Sequence, residues 1–298
     1  LTTSGTAGLP AISPDGNYVV YVESTGGQAN LRVRQVATGS NVEIVAAEPG
    51  VSILGATVTP DGSFVNYVKQ ALQQSPELWQ IAFLGGSPRR LLSGIAGRVG
   101  FSPDGRQMAF ARATAPAQSE LVIASIDGSN ERVVVSRQRP LGFLTVAVNQ
   151  SFAPAWSPSG ATIAAIGARG GEKATGQVVF VDVKTGAEQT VDVGPPLLGT
   201  GLTWLDERTL LLSMLDRSSA PLQLWLMSYP DGGLRRLTND TNQYVGPSLT
   251  SDRSRLVVAR SEASFSIWTS DTTGDQWTQT VPATPAKGPI GFRMGWMG

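Results

Sequence analysis

The sequence predicts a β-propeller of six four-stranded antiparallel blades, and three observations carry that prediction. A Ser/Thr-Pro-Asp-Gly turn motif returns at near-constant intervals, each return is followed by runs of β-branched and aromatic residues, and no helical apolar pattern lies between them. The motif stands at Ser13-Pro14-Asp15-Gly16, Thr59-Pro60-Asp61-Gly62, Ser102-Pro103-Asp104-Gly105 and Ser157-Pro158-Ser159-Gly160. Degraded copies follow at Leu205-Asp206-Glu207-Arg208 and Thr250-Ser251-Asp252-Arg253. The starts are 46, 43, 55, 48 and 45 residues apart, so six units fill nearly the whole of residues 1–298 as one domain.

Each unit reads the same way from its first strand outward. An apolar residue (Ile12, Val58, Phe101, Trp156, Trp204, Leu249) precedes the motif and a strand such as Tyr18 to Val22 comes after it. The motif itself has turn composition, because Pro presets its backbone angle and Ser bonds back to the chain. A third strand comes next (Leu31 to Val36, Leu78 to Phe83, Leu121 to Ile126, Val178 to Val183, Leu222 to Met227, Phe265 to Thr269), then a Gly turn and a short fourth strand such as Arg132 to Val135. The ends carry pieces of a further repeat: Leu1-Thr2-Thr3 matches the end of a fourth strand, and residues 290–298 match a first strand with Trp296 in the slot of Trp156. A seventh blade assembled from the two ends is one expectation. Excision from a longer array is the other, and it agrees with a chain that starts at Leu1 and not at methionine.

Composition excludes much chemistry. With 41% apolar and 15% charged residues the chain is a core-former, against about 25% charged in an average soluble domain. Lys and Arg balance Asp and Glu at 23 each, so no global field recruits nucleic acid or an anionic membrane. There is no His and no Cys. Ser-His-Asp and Cys-His nucleophile systems, the usual tetrahedral zinc sites and disulfides are therefore ruled out. No apolar run reaches the roughly 18 residues of a membrane-spanning helix, so no membrane insertion by this chain is expected.

Antiparallel order divides the connections between two faces. First-to-second and third-to-fourth turns emerge together and are short, whereas second-to-third loops and blade-to-blade connections share the other face and vary in length. The longest excursion, Ser136 to Gln150, accounts for the 55-residue spacing. Variable loops on a rigid scaffold are where binding specificity resides, so this face is expected to bind a partner, with Arg112, Arg137, Arg139, Phe143, Arg169 and Arg217 as candidate contacts. A planar guanidinium suits carboxylates and aromatic faces, which points to a protein or peptide partner, with a small ligand as the second possibility. The bland reading sets Phe143 onto its blade as ordinary core. Trp79, Trp225 and Trp268 share one third-strand position, where inter-blade packing is the expected role. Gly171 to Gly176 has phosphate-loop glycine spacing but continues Gln177-Val178, so it reads as a hairpin loop. The motif aspartates are too dispersed for calcium. No catalytic residues and no cofactor are assigned.

The Ser-Pro-Asp-Gly turn between a Trp-ended strand and a Tyr/Val/Phe strand resembles the repeat of TolB-like propellers. Arg32 to Ser40, Gly201 to Leu205 and Ser228 to Asp240 are similar to the propeller arrays found C-terminal to bacterial receptor-type serine/threonine kinases. That resemblance implies a non-enzymatic, extracytoplasmic sensor or docking module. A serine peptidase's substrate-gating propeller without its hydrolase domain, and a free periplasmic TolB-like scaffold, stand as alternatives.

Overall fold

The computed structural model describes residues 5–115, 117–144, 152–172, 174–194, 199–215, 221–261, 264–270 and 277–285, and these residues form strands joined by turns. The first unit is a sheet of β1 (Ala7–Ile12), β2 (Tyr18–Thr25), β3 (Gln28–Gln35) and β4 (Asn41–Val45). The second holds β5 (Val51–Val58), β6 (Phe64–Ala71), β7 (Glu77–Ala82) and β8 (Arg89–Ser93), and the third β9 (Gly100–Phe101), β10 (Gln107–Ala115), β11 (Gln118–Ser125) and β12 (Arg132–Gln138). In the fourth, β13 (Leu141–Phe143) and β14 (Ala155–Trp156) both pair with β15 (Thr162–Arg169), and β16 (Thr175–Asp182) and β17 (Glu188–Gly194) complete the sheet. The fifth comprises β18 (Gly199–Asp206), β19 (Thr209–Met214), β20 (Gln223–Ser228) and β21 (Leu234–Arg236).

The sixth unit departs from the expected pattern. Its described residues form two separate two-stranded sheets, β22 (Gln243–Leu249) with β23 (Leu256–Ser261) and β24 (Ser264–Ser270) with β25 (Trp277–Pro285). Among the described residues, five blades with four or more strands thus stand where six are expected, the fourth having its inner strand in two pieces. Register shifts between Phe265 and Trp268 turn the β24–β25 ladder, and Pro282 and Pro285 remove donors from it. The chain-end repeat fragments at 1–4 and 286–298, and with them the seventh blade, lie outside the described residues.

First strands stand innermost. β22 packs against β1 on one side and β18 on the other, β1 packs on β5, Thr57 Oγ1 of β5 donates to Val99 O just before β9 at 3.0 Å, and β14 touches both β9 and β18, which links the six units in a closed circuit. Blades are buried on both faces, so their strands read as continuous apolar runs: Val19 to Val22 in β2 are all buried. Separate apolar clusters fill the spaces between successive blades, from Val20, Leu31 and Tyr67 between the first two to Phe180, Trp204 and Met227 between the fourth and fifth.

The turn motif works as a closed hydrogen-bond unit. Ser13 Oγ donates to Asp15 Oδ1 at 2.5 Å and accepts from Tyr18 N at 3.0 Å, while Asp15 Oδ1 also accepts from Asn17 N at 3.0 Å. Thr59/Asp61, Ser102/Asp104 and Thr250/Asp252 repeat that pattern. Gly16, Gly62, Gly105 and Gly160 close the turn at φ between 70° and 74°. In the degraded sixth copy Arg253 holds that slot at φ 59°, a conformation that costs an L residue about 1–2 kcal/mol.

Blades are stitched by the residues ahead of the motif. Trp156 Nε1 donates to Gly100 O, and Trp204 Nε1 to Ala155 O, each at 3.0 Å and each into the equivalent position of the preceding blade. Trp204 also meets Phe180 and Tyr229 edge-on, with centroids 5.8 and 5.3 Å away.

Candidate functional site

Around the central channel the inner strands all leave their ladders at one level. Register shifts occur between Gly8 and Ala11 in β1, Ile53 and Gly55 in β5, Gly199 and Gly201 in β18, and Val245 and Ser248 in β22. In the third blade the break is Gly97 to Val99, bracketed by Ala96 N donating to Ala111 O and by the Gly100–Ala109 pair. In the fourth blade it is the whole interval from Leu144, whose N donates to Ile166 O, to Ala155, which pairs with Ala164. Bulges are concentrated at rims and sites, where they re-aim side chains. Here they make a collar.

The long excursion is therefore placed differently from the expectation. Ser136 to Gln138 belong to β12, and Leu141 to Phe143 form the first half of the fourth blade's inner strand. The segment between Leu144 and Phe152 is an insertion inside that strand, because β13 and β14 pair with successive parts of the same β15 edge. Both roots are fixed. Phe143 is 4% exposed and its N donates to Ser119 Oγ at 2.8 Å, and Phe152 is 7% exposed. The returning segment lies so close to the third blade that a Cβ on Gly97 would stand 2.5 Å from Phe152 O, and one on Gly100 only 1.8 Å from Pro154 O. Glycine is required there for close backbone approach.

Beside Leu144, between the fourth and fifth blades, a small apolar cleft opens. Leu144, Ile166, Val178, Val193, Leu212 and Met214 wall it, with Gly176 and Gly201 leaving room. Its two polar wall residues are already engaged. Gln177 Nε2 donates to Asp192 Oδ1 at 2.8 Å and its Oε1 accepts from Arg137, while Ser213 Oγ donates to Tyr244 O. Among the described residues that wall it there is no general base beside Ser213 and no grouping of charge. Among the described residues no set of three metal-ligating side chains comes together.

The predicted contact residues separate into three groups. Arg137 and Phe143 are interior. Arg137, 5% exposed, donates from Nε to Glu188 Oε2 at 2.6 Å, from Nη1 to Gln177 Oε1 at 3.3 Å and from Nη2 to Thr190 Oγ1 at 3.0 Å, with its guanidinium 5.2 Å from the Phe143 centroid. It clamps the outer strand of the third blade to the fourth. Arg112 is partly covered, paired with Glu131 at 2.7 Å and lying over Phe110. Arg139 and Arg169 are exposed, Arg169 paired with Asp192. Arg217 lies outside the described residues. Trp79 and Trp225 are half-buried third-strand residues under Lys69 and Arg236, in line with a packing role, and Trp268 falls in β24.

Sequence reading missed Arg98. Its side chain, 6% exposed, starts in the third blade's bulge and crosses the channel, with Nη1 donating to Pro10 O of β1 at 3.4 Å. Burial lowers its pKa to about 10. A recurrent glycine four or five residues before the motif (Gly8, Gly55, Gly97, Gly201, Gly246) is the signal that marks the collar.

No family model matches this chain. A TolB homologue of Chlorobium chlorochromatii is 36% identical over 110 residues, covering 35% of this chain and 23% of that protein, so the match spans about a quarter of the relative. The crystal structure of TolB from Acinetobacter baumannii superposes with a TM-score of 0.65 at 17% identity, covering 83% of this chain and 58% of the other. A prolyl endopeptidase structure superposes with a TM-score of 0.55 at 13% identity, covering 96% of this chain and 44% of the other. In architecture the chain is a TolB-like β-propeller.

Proposed function

We propose that this propeller is a non-catalytic binding module that holds a protein or peptide partner on its variable-loop face, at the cleft between the fourth and fifth blades. The observation that supports this reading most directly is the opened inner strand of the fourth blade, rooted at Phe143 and Phe152 beside a preformed apolar cleft. A rigid ring carrying one insertion is a scaffold for recognition. The motif aspartates are occupied by their own turns, and the chain has no His or Cys to run nucleophilic chemistry.

As parent context we infer the extracytoplasmic part of a bacterial receptor kinase or regulator, from the likeness of the repeats to kinase-linked arrays. A free TolB-like scaffold is the second reading, favoured by the match to the Chlorobium TolB homologue. The gating propeller of a peptidase is the weakest of the three, because gating requires passage along the axis and Arg98 crosses it.

Affinity capture on the immobilised chain tests the site. Capture is expected to fall at least about tenfold when residues 145–151 are replaced by a short Gly-Ser link or when Val193→Arg puts a charge into the cleft wall. Leu84→Ser, at an exposed turn on the opposite face, is expected to leave capture unchanged. Equal capture by all three variants would refute the site, and turnover of a peptide or glycoside by this chain would refute the non-catalytic reading.

A further inference from the structure

Among the described residues no strand is shared between the first and sixth units, and the two meet by β22 packing side-on against β1. Towards the motif turns this seam is well bonded. Ile12 N donates to Ser248 Oγ at 3.2 Å, Ser251 N and Oγ donate to Pro14 O at 3.0 and 3.1 Å, and Arg255 Nη1 donates to Gly16 O at 3.4 Å. Ile12, Val19 and Val257 add a small apolar cluster.

At the collar the two seam strands meet bulge against bulge. Leu9 has φ 49° and Gly246 φ 63°, and Pro10 Cδ lies 3.6 Å from where a Cβ on Gly246 would stand. Pro10 and Pro247 have no N–H, so proline removes donors from both strands at the point of contact. Arg98 arrives here from the opposite side of the channel. Its Nη1 donates to Pro10 O of β1 at 3.4 Å, and its Nη2 is 3.7 Å from the Gly246 Cβ position of β22.

The geometry points to Arg98 as the lock of the ring's seam: one buried guanidinium, anchored in the third blade, holds β1 and β22 together from across the channel. A planar fork with several donors can bond β1 through Nη1 while Nη2 lies beside the Gly246 bulge of β22, a reach that a single ammonium does not reproduce. Removing it frees the collar half of the seam and leaves the ladders inside each blade intact. This inference is independent of the partner-binding proposal.

Hydrogen–deuterium exchange on the whole chain, comparing wild type with Arg98→Met and Arg98→Lys, decides the matter. In Arg98→Met the amides of 7–12 and 243–249 are expected to exchange about tenfold faster or more, with β10–β11 and β15–β16 within about twofold of wild type. Arg98→Lys is expected to give an intermediate increase confined to the same two strands. If Arg98→Met does not fold, Arg98→Lys carries the decision. Wild-type exchange at the seam, uniform acceleration across all blades, or failure of both variants to fold would each overturn the assignment, since a seam lock leaves the individual blades able to form.

Discussion

Replacing Arg137 by methionine keeps the aliphatic stem over Phe143 and removes a guanidinium that makes three hydrogen bonds between the third and fourth blades. Breaking a fully buried ion pair from one side costs roughly 3–5 kcal/mol. Glu188 is 30% exposed and rehydrates, which discounts that figure. Gln177, 3% exposed, loses a partner for its Oε1, and an orphaned buried acceptor costs about 1–3 kcal/mol. The Thr190 hydroxyl, which is exposed, accepts from water in place of Arg137 Nη2 at little cost. A net destabilisation of about 2–3 kcal/mol is therefore expected, and urea unfolding followed by tryptophan fluorescence measures it. A double-mutant cycle with Glu188→Gln should return a coupling of about 1–2 kcal/mol. A loss below about 0.5 kcal/mol with no coupling, accompanied by loss of partner capture, would mean that the guanidinium faces a partner and not the neighbouring blade.

Two further expectations concern the repeats. Trp204→Phe removes the indole N–H and leaves Ala155 O without its donor, at a cost of about 1–2 kcal/mol in equilibrium unfolding; no measurable loss would deny the stitch a role in stability. The carboxyls of Asp15, Asp61, Asp104 and Asp252 are held below the ordinary aspartate value, chiefly by the Ser or Thr hydroxyl of their own turn, with Asp252 down to about 2. Because their folded pKa values lie below the unfolded ones, the unfolded chain binds more protons near pH 4. The stability they contribute is present above the unfolded value of 3.8 and is lost as pH falls towards 2, so the thermal midpoint should drop across that window. Asp252→Asn should flatten the drop, and an unchanged pH profile would contradict the turn's role.

The repeat was legible because each blade reuses the same local solution. Ser13-Pro14-Asp15-Gly16 encodes its turn within four residues, and the hydroxyl–carboxylate–amide bonds that close it are all local, so the motif announces itself wherever it recurs. Even the degraded copy at Thr250 keeps Thr and Asp in register, and the chemistry survives loss of the glycine. Arg137 shows the opposite case. Its exposed-loop appearance in sequence came from its place in a long spacing, yet Glu188 and Thr190, which bury it, are 51 and 53 residues further on. Phe143 was legible only as a pair of alternatives, and burial at 4% decides for the core.

Length, patterning and the absence of His and Cys determined an all-β repeat protein without the usual nucleophiles, because turn chemistry and strand propensity act over a few residues. Where the insertion sits was settled in three dimensions: β13 and β14 share the β15 edge, which turns an apparent inter-blade loop into a break in an inner strand. The same holds for the ring's centre. Arg98, Pro10 and Gly246 lie in three different units, and only closure of the circuit brings a guanidinium, a carbonyl and a glycine bulge to one point. Contacts between blades depend on backbone placement across many residues of separation, and a repeat of period 43 to 55 fixes the strands of each unit without stating which side chains will meet across the channel.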